Sequence, residues 1–110
     1  MSTTGQGRVA GKRALITGAA GGLGAAMAWM LVREGAKVAL TDVNLDGVQA
    51  LAASINAESP NTAFAFAHDV TSEADWVAVI ESAVAAMGGL SILVNNAGIG
   101  GELHYAESDT

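Results

Sequence analysis

Apolar residues run along this chain in two alternating patterns. Short unbroken runs bounded by turn residues predict strands, and longer stretches with apolar positions three or four apart predict helices. "RALIT" is a first strand, ended by glycines. "LGAAMAWMLVREG" then reads as a helix from near Gly22 to a glycine stop at Gly35. "KVALTD" is a second strand. Asn44 suits an N-cap, and Leu45, Val48, Leu51, Ala52 and Ile55 follow at helical spacing. Pro60 and Asn61 punctuate before a third strand, "TAFAFA". In "DVTSEADW", Thr71 or Ser72 can cap a helix with acids in its first turn. Trp76, Val79, Ile80, Ala83, Val84 and Met87 form its apolar stripe, and Gly88 and Gly89 end it. "LSILVNN" is a fourth strand, followed by "AGIGG" and a polar tail.

Strand and helix alternating in this way define an α/β domain with a parallel sheet. Right-handed crossovers and the doubly wound pattern give the order 3-2-1-4, the first half of a Rossmann-like sheet. Ligands then bind above the carboxyl ends of strands 1 and 4, where the order reverses. The glycine cluster and "NNAG" both fall there.

Composition narrows the reading. The 110 residues are 51% hydrophobic and 15% charged, which fits a buried parallel sheet or a piece of something larger. A net charge of −6, with five scattered Lys and Arg, argues against nucleic acid. There is no cysteine, hence neither a disulfide framework nor a Cys-type zinc site, and no metal site is expected. "MSTTGQGRVAGK" lacks the apolar core of a signal peptide, and Ala25 to Val32 is too short to span a membrane. These features predict a soluble, cytoplasmic chain with no membrane partner.

Four glycines in seven residues, Gly18, Gly21, Gly22 and Gly24, join the first strand to the first helix. Such a turn lets a diphosphate reach the backbone without meeting a Cβ, while free N–H groups at the helix start face the anion. Gly18 would make the turn, Gly22 would permit close approach and Gly24 would let helix pack on strand. The plainer alternative is a glycine-capped helix. Asp42 ends strand 2, eighteen residues after Gly24. An acid there accepts from both hydroxyls of an adenosine ribose and repels a 2′-phosphate, whereas Gly21 and Val43 offer no cation to welcome one. NAD is therefore favoured over NADP; the alternative for Asp42 is a turn or capping acid.

"TGAAGGLG" (residues 17–24), "HDV" (68–70) and "NNAG" (95–98) together resemble the TGxxxGxG, D-V and NNAG landmarks of the short-chain dehydrogenase/reductase family. The resemblance implies an NAD(H)-dependent oxidoreductase moving hydride between nicotinamide and an alcohol or carbonyl substrate. It implies that Gly18, Gly22 and Gly24 hold the diphosphate region, with Leu23 donating its backbone amide. Asp42 would bind ribose, and Asp69 and Val70 would flank adenine, although Asp69 also suits a helix cap. Asn95, Ala97 and Gly98 would lie beside the cofactor riboses, Asn95 also tying the central strands together. Residues 1–11 read as a flexible arm and 12–110 as the NAD-binding domain, incomplete at its C-terminus.

The family's catalytic serine and YxxxK lie beyond the fourth strand. Tyr105 is followed by Asp109 where lysine would be needed, an acid that would raise the phenol's pKa, so no catalytic residue is assigned. His68 and His104 read as solvated or structural, and Trp29 and Trp76 as packing residues. The resemblance implies a homo-oligomer. Without a fifth strand "LSILV" would present an open edge, so the isolated chain should associate or unfold readily, which a sharp, monomeric, reversible melt would contradict. The alternatives are a stand-alone NAD-binding or regulatory module and, more distantly, a methyltransferase, against which "TGAAGGLG" with "NNAG" argues.

Overall fold

The computed structural model describes residues 10–96. They form β1 (Arg13–Thr17), α1 (Gly22–Arg33), β2 (Lys37–Asp42), α2 (Leu45–Glu58), β3 (Ala63–Ala67), α3 (Glu73–Met87) and β4 (Ile92–Val94). The strands make one parallel sheet in the order β3-β2-β1-β4. Register runs from Arg13 opposite Lys37 to Thr17 opposite Thr41, so the carboxyl ends of β1 and β2 are level. This is the doubly wound arrangement the alternating pattern predicts.

The path explains which face each helix takes. The chain steps outward from β1 to β2 to β3, then crosses back to β4. A constant crossover hand therefore puts α1 and α2 on one face and α3 on the other. Ala14, Ile16, Val38, Leu40 and Val94 face the α1/α2 side, where they pack with Met27, Ala28, Val48, Ala52 and Ile55. Leu15 and Ala39 face α3, packing with Val79, Ala83 and Met87.

Two details differ from the sequence reading. Ile80 and Val84, counted in the α3 stripe, are 37% and 41% exposed, whereas Val79, Ala83 and Met87 are buried. Among the described residues one helix covers this face of the sheet, and only residues four apart along its contact line reach it. β4 is also shorter than "LSILVNN": three residues pair with Ala14–Ile16 of β1, and among the described residues its other edge carries no strand.

The amino-terminal pole of the sheet is closed by local bonds. α3 stops at Gly88, which is left-handed (φ 85). Arg13 Nε donates to the Met87 carbonyl at 2.6 Å, satisfying one of the carbonyls the helix end leaves open. All four described basic residues, Lys12, Arg13, Arg33 and Lys37, lie at this pole. The carboxyl-end pole holds Asp42, Asp69 and Asp75.

Candidate dinucleotide site

The turn between β1 and α1 is built by backbone alone. Gly18 has φ 65, a left-handed value that disfavours a side chain, and its carbonyl accepts from Gly21 N at 3.2 Å. A Cβ on Gly24 would stand 2.4 Å from that carbonyl oxygen and 2.8 Å from Ala19 Cα, so only glycine lets α1 approach the turn this closely. Gly22 is the opposite case: a Cβ there would meet nothing within 4 Å. Its outer face is open, as a backbone cradle for a ligand requires.

α1 starts at this opening without help from side chains. Its N-cap is Gly21, there is no side-chain cap bond, and no acid occupies the first turn. Ala25 N is the first amide to bond back, to the Gly21 carbonyl at 2.9 Å. The amides of Gly22, Leu23 and Gly24 come before it and have no intrahelical acceptor. Leu23 is 47% exposed in the same turn.

Asp42 stands at the adjoining end of β2. Its Oδ2 accepts from Ala20 N at 3.1 Å and its Oδ1 from Asn44 N at 2.9 Å. The carboxylate thus fastens the glycine turn to β2 and shapes the entry to α2, a structural duty beside any ligand role. An ionised carboxylate has about four acceptor sites, so two bonds leave capacity for a ligand hydroxyl. Val43 beside it is 75% exposed.

The β3–α3 turn lies next along the same rim. Asp69 is exposed and does not cap α3, which is capped by Ser72 accepting from Asp75 N at 3.1 Å. Asp69 Oδ1 instead accepts from the Thr71 amide at 3.0 Å and hydroxyl at 2.6 Å. Those two bonds hold its carboxyl below the ordinary carboxylate range, since they favour the charged form. Val70 is half-buried, and its carbonyl accepts from Trp76 Nε1 at 2.8 Å.

At the end of β4, Asn95 Oδ1 accepts from Thr17 Oγ1 at 3.0 Å, joining the two central strands. Asn96, which sequence reasoning did not single out, is buried and donates from Nδ2 to the Gly18 carbonyl at 3.3 Å. Its Oδ1 is buried with no partner among the described residues, an acceptor left open at the foot of the glycine turn. The only sequence signal for it was its place in "NNAG" beside Asn95. Ala97, Gly98, His104 and Tyr105 lie outside the described residues.

The two tryptophans are packing residues. Trp29 is half-buried under the Arg33 guanidinium, 5.0 Å from its ring centroid. Trp76 is half-buried against His68. His68 is not solvated; it is buried, bonding Thr41.

The family model for short chain dehydrogenase matches residues 12–110. The chain belongs to the short-chain dehydrogenase family. Among its curated relatives, a 3-beta-hydroxysteroid dehydrogenase from Comamonas testosteroni is 46% identical over 92 residues, covering 84% of this chain and 35% of that protein. A 2,5-dichloro-2,5-cyclohexadiene-1,4-diol dehydrogenase from Sphingobium indicum is 48% identical over 92 residues, covering 84% and 36%. The chain thus spans about a third of the length of the curated relatives it matches. A crystal structure of 3-ketoacyl-(acyl-carrier-protein) reductase from Brucella melitensis complexed with NADH superposes with a TM-score of 0.78 at 42% identity, covering 91% of this chain and 40% of that one.

For a short-chain dehydrogenase, the residues present fit a nicotinamide dinucleotide. The cradle at Gly22 is open, three amides of α1 have no intrahelical acceptor, and the expected ribose acid borders the turn. Of the residues named from sequence, Gly18, Gly22, Leu23, Gly24, Asp42, Asp69, Val70 and Asn95 all lie at the carboxyl-end pole of the sheet. No metal-binding cluster of three or more His, Cys, Asp or Glu exists among the described residues, and no described helix is long and apolar enough to cross a membrane.

Proposed function

We propose that this chain is the cofactor-holding part of an NAD(H)-dependent oxidoreductase acting on an alcohol/carbonyl pair. The observation that carries the proposal is the uncapped, acid-free start of α1 behind the open face of Gly22. An anion there meets amide donors and the positive end of the helix. Gly18, Gly22, Leu23 and Gly24 hold the diphosphate, Asp42 accepts from the adenosine ribose, and Asp69 and Val70 flank the adenine. Asn95, Ala97 and Gly98 sit beside the riboses.

When bound, the nicotinamide supplies a site that gives or takes hydride. The chain's own contribution is to seat and orient it. The proton-transfer group belongs to a serine and YxxxK that the 110 residues do not contain, since Tyr105 precedes Asp109 at that spacing. The working assembly in this reading is a cytoplasmic homo-oligomer.

Asp42 favours the unphosphorylated sugar. A 2′-phosphate beside its carboxylate would meet like charge, and the described cations are all at the other pole of the sheet. Calorimetric titration of the folded chain with NAD, NADP and S-adenosylmethionine tests this. NAD binding, with NADP weaker by roughly tenfold or more, is the expected result. Asp42→Ala should narrow that preference. Failure of NAD to bind would overturn the reading, and binding of S-adenosylmethionine alone would replace it with a methyltransferase.

A further inference from the structure

The β3–α3 turn that carries Asp69 and Val70 is held from behind by α3. Trp76 Nε1 donates to the Val70 carbonyl at 2.8 Å, and Asp75 Oδ2 accepts from Asp69 N at 2.9 Å. Trp76 in turn rests on His68, the rings meeting at 90° with centroids 4.3 Å apart. His68 is 2% exposed, and its Nδ1 lies 3.0 Å from Thr41 Oγ1. The Thr41 hydroxyl is also within 3.3 Å of the Ile16 carbonyl, to which it can only donate. Its single hydrogen spent there, Thr41 accepts from His68 Nδ1–H. Nε2 is then a bare lone pair, buried without a partner among the described residues.

We propose that His68 and Trp76 are positioning residues for the adenine side of the site: the neutral imidazole seats the indole, and the indole's hydrogen bond to the Val70 carbonyl sets the 69–72 turn. The inference rests on the reading that this turn flanks adenine. It departs from the ordinary view of a histidine at a strand end because the seat works only while Nε2 is unprotonated. A second N–H at Nε2 would find no acceptor here among the described residues.

The influences on His68 oppose one another, and burial outweighs the rest. Burial lowers its pKa most, and Asp75 on α3 and Asp69 on the turn pull it partly back. From β2, Thr41 faces the ring and the Asp42 carbonyl accepts the His68 amide at 3.0 Å. The net result is a pKa below the usual value of about 6.5, so the seat is intact at neutral pH and is lost on acidification below that value. Protonated, the ring gains by turning toward Asp69 or Asp75, which takes support from the indole.

Trp29→Phe leaves Trp76 as the only tryptophan, so its fluorescence reports the seat directly. In this variant, emission followed from about pH 8 to about pH 5 should shift with one midpoint below about 6.5. Affinity for NAD and for ADP-ribose should weaken by about five- to tenfold across the same midpoint. Adding His68→Gln, which stays neutral, should abolish the emission shift and make the affinity independent of pH over that range. If NAD binds at about pH 8 but emission is flat, or affinity does not follow it, the positioning role is wrong and the site reading survives. If NAD does not bind even at about pH 8, the site reading falls and takes the adenine assignment of the turn with it.

Discussion

Among the described residues three helices begin at the same pole of one sheet, and only α1 begins without a side-chain cap. At α2, Asn44 Oδ1 accepts from Gly47 N at 3.1 Å and Asp46 sits in the first turn. At α3, Ser72 Oγ accepts from Asp75 N at 3.1 Å, with Glu73 and Asp75 in the first turn. Both helices meet their own partial positive charge with their own side chains. α1 has a glycine cap and no acid. The scaffold is the same in all three, so the difference lies in who supplies the negative charge: the protein at α2 and α3 and, in the function proposed above, a ligand at α1. The side-chain caps close two ends, and their absence leaves the third able to take an anion.

The strongest test of that contrast is the close packing that makes α1 possible. Gly24→Val would drive a side chain into the Gly18 carbonyl, 2.4 Å from where the Cβ would lie. The expected cost is about 3 kcal/mol of folding stability, read from denaturant or thermal unfolding. Gly21→Asp should do the reverse. A Cβ there meets only the Gly18 oxygen at an ordinary 3.6 Å, so the residue fits. It gives α1 the cap that α2 and α3 have, raising stability by about 1 kcal/mol while weakening NAD binding by roughly a hundredfold. If Gly21→Asp left affinity intact, the open end of α1 would not be the anion site. Gly22→Ala falls between: stability within about 0.5 kcal/mol of the parent, because the Cβ enters open space, and NAD weaker by about tenfold, because that space is the cradle.

This contrast was largely legible in the sequence. The glycine spacing places α1 and its turn, and Asn44 together with Thr71 or Ser72 announces capped helices by residue type; the structure uses Ser72. The strand order followed from alternation and crossover hand. What could not be read was the set of bonds that depend on three-dimensional neighbours. Asp42 reads as a ribose acid or as a turn or capping acid, and which amides its carboxylate fastens, Ala20 and Asn44, is visible only in the fold. Asn96 was missed because nothing in "NNAG" tells which asparagine turns under the Gly18 carbonyl. Ile80 and Val84 fit the helical period as well as Val79 and Ala83 do, but periodicity counts apolar positions and cannot say how wide a strip the sheet offers. His68 reads as solvated or structural, and the choice rests on neighbours the sequence does not place beside it: it is buried and meets Trp76, eight residues on and brought back by α3.

The smallest expected effects come from the filled helix ends. Asn44→Ala and Ser72→Ala each remove one side-chain bond to a first-turn amide, a loss of about 1 kcal/mol, or roughly 4–8 °C in the melt of a domain this size. They should differ in what else they move. Ser72 caps a helix whose side chains Asp75 and Trp76 hold the 69–72 turn, so its loss should also weaken NAD by a small factor, about two- to threefold. Asn44 caps α2, and its amide rather than its side chain meets Asp42, so Asn44→Ala keeps that bond and should leave affinity unchanged. Calorimetry on the two variants separates a cap that only stabilises from one that also orders a rim of the site. Equal losses of affinity would mean that the cofactor senses overall stability rather than the particular turn that α3 supports.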